Sequence, residues 1–306
     1  MIETINIIDD CQGLNTILDP FQPVSTVGSD RKAQRFLTKA VNVRITDSKK
    51  IERSEPTTHL FDLTDGHSLF CDGGSCLVHD SGSMYEIATN LTLSSAKRSS
   101  MSGDQISHTQ AGDAIYFSNL SENGVYYGNT VISWAVDPYI GPETNRYFET
   151  TVPYFSHIAY FNGYMLGAIG NALFVSELGL LGLWEMKPIW MSNSDLIMVR
   201  PVEGGVFISD RTKQFYLNGI EPNKFTERKI ANYPAFEWSD SCSLVDAARF
   251  TDSSGLAATW FSSKGQCVGF ADGTFKNITI DKIIMPTTGT LGASLVIGHN
   301  LISTLR

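Results

Sequence analysis

The residues best suited to chemistry stand close together early in the chain. His67, Cys71, Cys76 and His79 follow the spacing H-x3-C-x4-C-x2-H, and imidazole and thiolate are the usual ligands of tetrahedral structural zinc. In a β-hairpin with its turn at residues 72–75, Cys71 and Cys76 face each other. Side chains alternate faces along a strand, so His67, four residues before Cys71, shares the cysteines' face. His79, three residues after Cys76, points away unless a bulge intervenes. The hairpin admits zinc held by His67, Cys71 and Cys76, a cross-strand disulfide, or two free packed thiols. Free thiols are the expectation, with no metal and no cofactor. Cys11, Cys71, Cys76, Cys242 and Cys267 make an odd count without the density of a disulfide framework.

Acid–base or nucleophilic chemistry finds less support. Asp113, Asp210, Asp246 and Asp272 fall at strand ends or turns, where side-chain bonding to the local backbone accounts for aspartate. His59, His108, His157 and His299 are scattered and read as structural or surface residues. Nucleophile-elbow, phosphate-loop, zinc-protease and calcium-loop patterns are missing, as are the aspartate boxes of sialidase-like propellers. The expectation is a protein that is not an enzyme. Tyr126, Tyr127, Tyr139, Trp184, Trp190, Phe236 and Trp238 could line a sugar-binding groove, although packing between strands is the commoner use of such rings.

The elements that must position these residues are short strands. Residues 255–280 read GLAATWFSSKGQCVGFADGTFKNITI, three β-prone runs separated by two turns. Asp272-Gly273 is a strong hairpin signal, expected as a type I′ turn with positive φ at both central residues. Similar meanders open at Gly66, Gly112, Gly163 and Gly205, and a shorter one at Gly292, at intervals of 37 to 51 residues. Strand units repeating at about 40 to 50 residues are the mark of a β-propeller. The fourth strand of a blade is read in connecting segments such as HIAYF at 157–161 and DLIMVR at 195–200.

The expected architecture is one all-β domain over residues 1–306, a propeller of about six blades. Residues 1–39 form an N-terminal arm, 40–54 a closing hairpin, 55–291 the blades, and 292–306 two C-terminal strands. Pairing the N-terminal with the C-terminal strands in one blade would remove exposed sheet edges. A pair of β-sandwiches with the same hairpins is the alternative.

Composition narrows the partners. The net charge is −9 and no long run of Lys or Arg occurs, so sequence-specific nucleic-acid binding, which needs clustered positive charge, is not expected. AKRSS at 96–100 reads as a solvated basic loop. No stretch has the apolar length of a membrane span. MIETINIIDDCQG lacks the charged and apolar regions of a signal peptide, which suits synthesis in a cytoplasm.

Several segments resemble, in collinear order, a family of tail-associated β-propeller proteins of tailed-bacteriophage virions. GLNTILDP at 13–20 and KAVNVRITDSKKIERSEP at 39–56 are similar to a Gly-(Ile/Leu)-Asn-Asn-x-Leu-x-Pro segment followed by an Ala-Val-Asn-Val-Asp hairpin. Arg44 stands at the acidic position, and Ser54-Glu55-Pro56 where Arg-Pro-Gly is usual. MSGDQISHTQAGDAIYFSN at 101–119 and GNALFVSE at 170–177 resemble further family segments, with His108 in place of Tyr. NTVISWAVD at 129–137 resembles a Trp-Gly turn, with Ala135 in place of Gly. VRPVEGGVFISDRTKQFYLNGIEPNKFTERKI at 199–230 is the fullest match.

The resemblance implies a non-enzymatic structural protein of a phage tail, of hub, nozzle or tail-tip type. It would be present in several copies per virion and docked on other tail or connector proteins. Residues 28–39 and 94–110 lack strand alternation and are expected as docking arms. Arg31, Lys32 and Arg35 would meet an acidic neighbour. A host-surface glycan or receptor recognition domain is the alternative.

Overall fold

The computed structural model describes residues 59–72, 75–139, 146–241, 243–249, 255–280, 291–297 and 300–305, with four short strands before them. Those four are β1 (Cys11–Leu14) and β2 (Arg35–Leu37), which pair in parallel, and the hairpin β3 (Val43–Ile45) and β4 (Ile51–Arg53). Blade 1 holds β5 (His67–Asp72), β6 (Ser75–Asp80) and β7 (Ser83–Glu86). Blade 2 holds β8 (Ser107–Ala111), β9 (Ala114–Ser118), β10 (Asn123–Tyr127) and β11 (Thr130–Ile132). Blade 3 holds β12 (His157–Phe161), β13 (Tyr164–Ile169), β14 (Ala172–Glu177) and β15 (Leu180–Trp184). A short β16 (Trp190–Met191) also pairs with β14. Blade 4 holds β17 (Leu196–Val202), β18 (Gly205–Asp210), β19 (Gln214–Asn218) and β20 (Thr226–Ala231). Blade 5 holds β21 (Val245–Asp246), β22 (Leu256–Ser262), β23 (Gly265–Phe270) and β24 (Phe275–Asn277). A hairpin of β25 (Gly292–Ile297) and β26 (Asn300–Leu305) follows.

The chain is therefore an all-β, five-bladed propeller, where about six blades were expected. The five longer glycine-opened meanders each make a blade, and HIAYF and DLIMVR supply the first strands β12 and β17. The two terminal hairpins do not join. β3–β4 and β25–β26 are separate two-stranded sheets, and β25 instead meets residues 237–241 through parallel bridges, Glu237 to Leu291 and Ser241 to Ser294.

Local turn chemistry explains most blades. Ser81-Gly82 and Gly128-Asn129 both have positive φ at each central residue, the geometry that a two-residue hairpin needs. The Asp272-Gly273 turn differs from expectation, because only Gly273 has positive φ. The Gly273 amide donates to the Phe270 carbonyl at 2.9 Å and Phe270 N–H to the Thr274 carbonyl at 2.9 Å. That is a three-residue loop ending in a left-handed glycine. The Asp272 carboxylate fixes it by accepting from Thr274 N–H and Oγ1 at 2.7 and 2.8 Å.

Successive blades bury apolar side chains against each other. Blades 3 and 4 meet through Phe161, Leu166, Leu173, Val199, Ile208 and Leu217. Blades 2 and 3 meet around Phe155, Met165 and Trp184, and blades 4 and 5 around Phe207, Tyr216 and Trp260. A strand covered on both sides has no polar face, which is why all six residues of β18 are buried.

The inner edge of each blade leaves backbone N–H groups without a sheet partner, and hydroxyls of the preceding blade accept several of them. Ser68 Oγ accepts from Ile106 N–H at 2.8 Å, Ser107 Oγ from Ile158 at 3.0 Å, and Thr109 Oγ1 from Tyr160 at 2.9 Å. Ser118 Oγ accepts from Phe155 at 2.9 Å and Ser209 Oγ from Ala235 at 2.9 Å.

Of the two expected arms, one is described only in part and the other is corrected. Residues 28–39 contain part of a parallel strand pair, with Arg35 in register with Cys11, while Arg31 and Lys32 lie outside the described residues. Residues 94–98 run along β7, with Met84 N–H donating to the Arg98 carbonyl at 2.9 Å and Lys97 N–H to the Met84 carbonyl at 2.8 Å. Nor is AKRSS a solvated loop. Lys97 pairs with Glu86 and Arg98 with Glu122, both at 3.1 Å. Edge pairing consumes that segment, because blade 1 has three strands of its own among the described residues.

Candidate functional site

The first strands of blades 1 to 4 surround a cavity of about 1110 Å³, closed on the remaining side by Trp238, Asp240, Leu244 and residues 291–294. It is the axial channel, and its wall mixes polar and apolar side chains. Ser68, Gln110, His157, Arg200, Trp238 and Asp240 come to it from separate parts of the chain.

The histidine–cysteine cluster is divided by a bulge. His67 pairs with His79 across the strands and Phe70 with Leu77, so β5 carries one extra residue between the two registers. Ser68, at φ 54°, lies in that bulge. One inserted residue reverses the facing of everything before it, which turns His67 toward His79 and away from the cysteines. The rings of His67 and His79 stack at 5.7 Å. Cys71 and Cys76, directly opposed, form a disulfide in place of the expected free thiols, so neither sulfur is a thiolate ligand. No group of three or more metal-ligating side chains is found among the described residues. Cys267 is a free buried thiol, which burial pushes up to about 12. Cys11 lies in β1, and Cys242 lies outside the described residues.

Beyond the bulge, His79 Nε2 meets His108 Nε2 at 3.1 Å. One imidazole must donate and the other accept, so the accepting ring is neutral and carries its proton on Nδ1. Phe70 stacks on His108 at 5.4 Å. Burial first, then the neighbouring imidazoles and Arg98, push His79 down to about 2. His108 is also lowered, to about 3, chiefly by burial. The sequence reads His108 as a scattered structural or surface histidine and His79 only as pointing away from the cysteines, since their partnership depends on two blades packing together.

His157 begins β12 and is 5% exposed. Its ring lies parallel to Trp238, at 4.4 Å and 12°. Neither Nδ1 nor Nε2 makes a hydrogen bond of full geometry, although the Ile197 backbone is near enough to interact with the ring. Burial pushes His157 down to about 4; Ile197 opposes the shift and Arg211 adds to it. Trp238 has φ 65°, a strained conformation for a bulky side chain. Its neighbours hold it there. Phe236 N–H donates to the Phe261 carbonyl at 2.8 Å, and Ser239 Oγ accepts from Phe261 N–H at 3.0 Å.

Of the aromatics considered for a groove, Trp238 alone lines the channel. Tyr126 and Trp184 are buried between blades, Phe236 is buried, and Trp190 packs edge-on to Phe215. Tyr127 is exposed and Tyr139 packs on Phe148. Asp210 and Asp272 serve turns, as their positions suggested. Burial would raise Asp210, but bonds from Ser192, Thr212 and Lys213 hold it low. Asp246 accepts from Ala248 N–H at 3.0 Å.

No family model and no curated protein matches the chain. Among solved structures it is similar to PorZ, a surface component of the type-IX secretion system of Porphyromonas gingivalis. The TM-score is 0.42 and the identity 9%, over 80% of this chain and 30% of that one; the chain thus spans less than a third of PorZ. A streptogramin B lyase gives TM-score 0.48 and 10% identity, over 83% and 79% of the two chains. Virginiamycin B lyase from Staphylococcus aureus gives 0.47 and 11%, over 86% and 84%. Such distant likenesses carry no information about activity.

Proposed function

We propose that this protein is a non-enzymatic structural component of a bacteriophage virion, associated with the tail and serving as a docking platform for neighbouring tail or connector proteins. The observation that carries the proposal is one face of the ring. In a meander of four strands, the first-to-second and third-to-fourth turns lie at the same end. At that end Tyr127, Leu178, Ile220 and Leu256, from blades 2, 3, 4 and 5, are each more than half exposed. Gly179 N–H donates to the Gly163 carbonyl at 2.9 Å, and Asn162 Nδ2 to the Ile220 carbonyl at 3.3 Å, which ties the turns of blades 3 and 4 together. Large apolar side chains presented together on a rigid face mark an interaction site.

The tail assignment itself is supported by the collinear family-like segments, which fall on β8–β9, β14 and β17–β20. In this reading Arg31, Lys32 and Arg35 add positive charge for an acidic neighbour, on a chain of net charge −9. The protein is made in the host cytoplasm and resides in the virion. The test is complementation of a phage lacking the gene with Leu178→Glu/Ile220→Glu. A folded variant that is not incorporated into tails is expected. Incorporation at the wild-type level with reduced adsorption to the host would replace docking by receptor recognition.

A further inference from the structure

We propose that the acidic, apolar end of the ring receives the basic N-terminal segment, residues 31–53, of a second copy of this chain. The proposal rests on the docking-face reading above and names the neighbour. Every blade contributes to that face. Leu91, in the turn between β7 and residues 94–98 of blade 1, is more than half exposed and joins Tyr127, Leu178, Ile220 and Leu256. The exposed carboxylates of Asp113, Glu203, Glu221, Asp246 and Asp272 stand at the same end, in or beside first-to-second or third-to-fourth turns. Basic side chains there are fewer and largely engaged. Lys224 pairs with Glu221 at 2.7 Å, the Arg228 guanidinium donates to the Gly273 carbonyl, and Arg249 closes the short helical turn after β21. An apolar surface with an excess of carboxylates selects a partner that brings apolar and cationic side chains together.

The chain itself holds such a segment. Residues 31–53 contain eight of its 23 Lys and Arg but only two of its 32 Asp and Glu, a charge of +6 in a chain of −9. Phe36, Leu37, Val41, Val43, Ile45 and Ile51 are interleaved with the basic residues. The strands β2, β3 and β4 within it pair with no blade strand. Its point of entry sets the direction of docking. β5 starts at the end of the ring opposite the acidic turns. There Asp65 N–H donates to the carboxylate of Asp80, beside the second-to-third turn of blade 1, at 2.7 Å. The basic segment therefore joins the ring at the end remote from the face that it matches. Copies brought together this way stack head to tail, a heterologous contact. Two acidic faces set against each other would repel, and a wholly apolar partner would strip water from the carboxylates without compensation.

The experiment follows the full chain by sedimentation velocity over a wide range of concentration, in low and in high salt. Concentration-dependent assembly is expected, weakened about tenfold or more in high salt as the exposed charges are screened. Arg31→Glu/Lys32→Glu/Arg35→Glu reverses the segment, and Asp113→Lys/Glu203→Lys/Glu221→Lys reverses the face. Each variant alone should assemble about tenfold or more weakly than wild type. Mixed in equal amounts they should assemble again, because the acidic segment of one now matches the basic face of the other. Should either variant not fold, a synthetic peptide of residues 31–53 decides the matter, and it is expected to compete with assembly of the wild-type chain. The proposal is overturned if the chain is monomeric at every concentration, if its assembly ignores salt, or if the folded variants do not assemble when mixed. A monomeric chain whose Leu178→Glu/Ile220→Glu variant still fails to enter tails would overturn this inference alone, leaving the docking platform with a different neighbour.

Discussion

The interface between blades 3 and 4 is built from aliphatic and aromatic side chains such as Leu166, Val206 and Leu217. The interface between blades 1 and 2 has a comparable apolar cluster around Leu77, Ile115 and Phe117. It also encloses a histidine pair and the Arg98–Glu122 ion pair, and it is crossed by the Ser68 bulge. One repeat unit is thus joined in two ways. The apolar joint draws its stability from burial, which depends little on pH. The mixed joint draws part of its specificity from groups that are safe to bury only while neutral or paired, so solvent conditions reach it.

Leu166→Ala tests the apolar joint with the largest expected effect. The side chain is fully buried, and its removal should cost about 2 to 5 kcal/mol, read as a fall in denaturation midpoint that is the same at pH 7 and pH 5.5. A cost that changed with pH would remove the contrast between the two joints.

Acidification tests the mixed joint. His79 is pushed far below its unfolded value of 6.5, so the unfolded chain binds the extra proton as pH falls below about 6.5. Stability should therefore decline with falling pH, by up to about 1.4 kcal/mol per unit from this histidine. His79→Gln keeps a hydrogen-bond partner for His108 but cannot titrate. It should flatten the slope between pH 6.5 and 5, as followed by thermal melting. An unchanged slope would show that His108, His157 or the carboxylates carry the acid response.

The smallest effect is expected at the bulge. Ser68→Ala removes the acceptor of Ile106 N–H and the hydroxyl that donates to Gln105 Oε1 at 3.0 Å. It should cost about 1 kcal/mol and speed hydrogen exchange at Ile106 more than at Leu217. Equal exchange at both sites would mean that the hydroxyl does not hold the two blades together.

Strands and tight turns were legible in the sequence because each is dictated by adjacent residues. Ser81-Gly82 and Gly128-Asn129 turn the chain wherever they are placed, and β-prone runs on either side have nothing nearer to pair with. The five meanders follow from this local chemistry, and so do the turn roles of Asp210 and Asp272. Tertiary structure decided the rest. One extra residue at Ser68 reversed the facing of His67, and hydrophobicity does not announce a bulge. The terminal hairpins resemble half-blades, but pairing them requires contacts across nearly the whole chain. Residues 237–241 took one edge of β25 instead. His157 and Trp238 gave no sign of their meeting, because each alone is an ordinary core residue. Burial, which sets the charge of His79, His108 and His157, belongs to the packing of whole blades rather than to any segment of the chain.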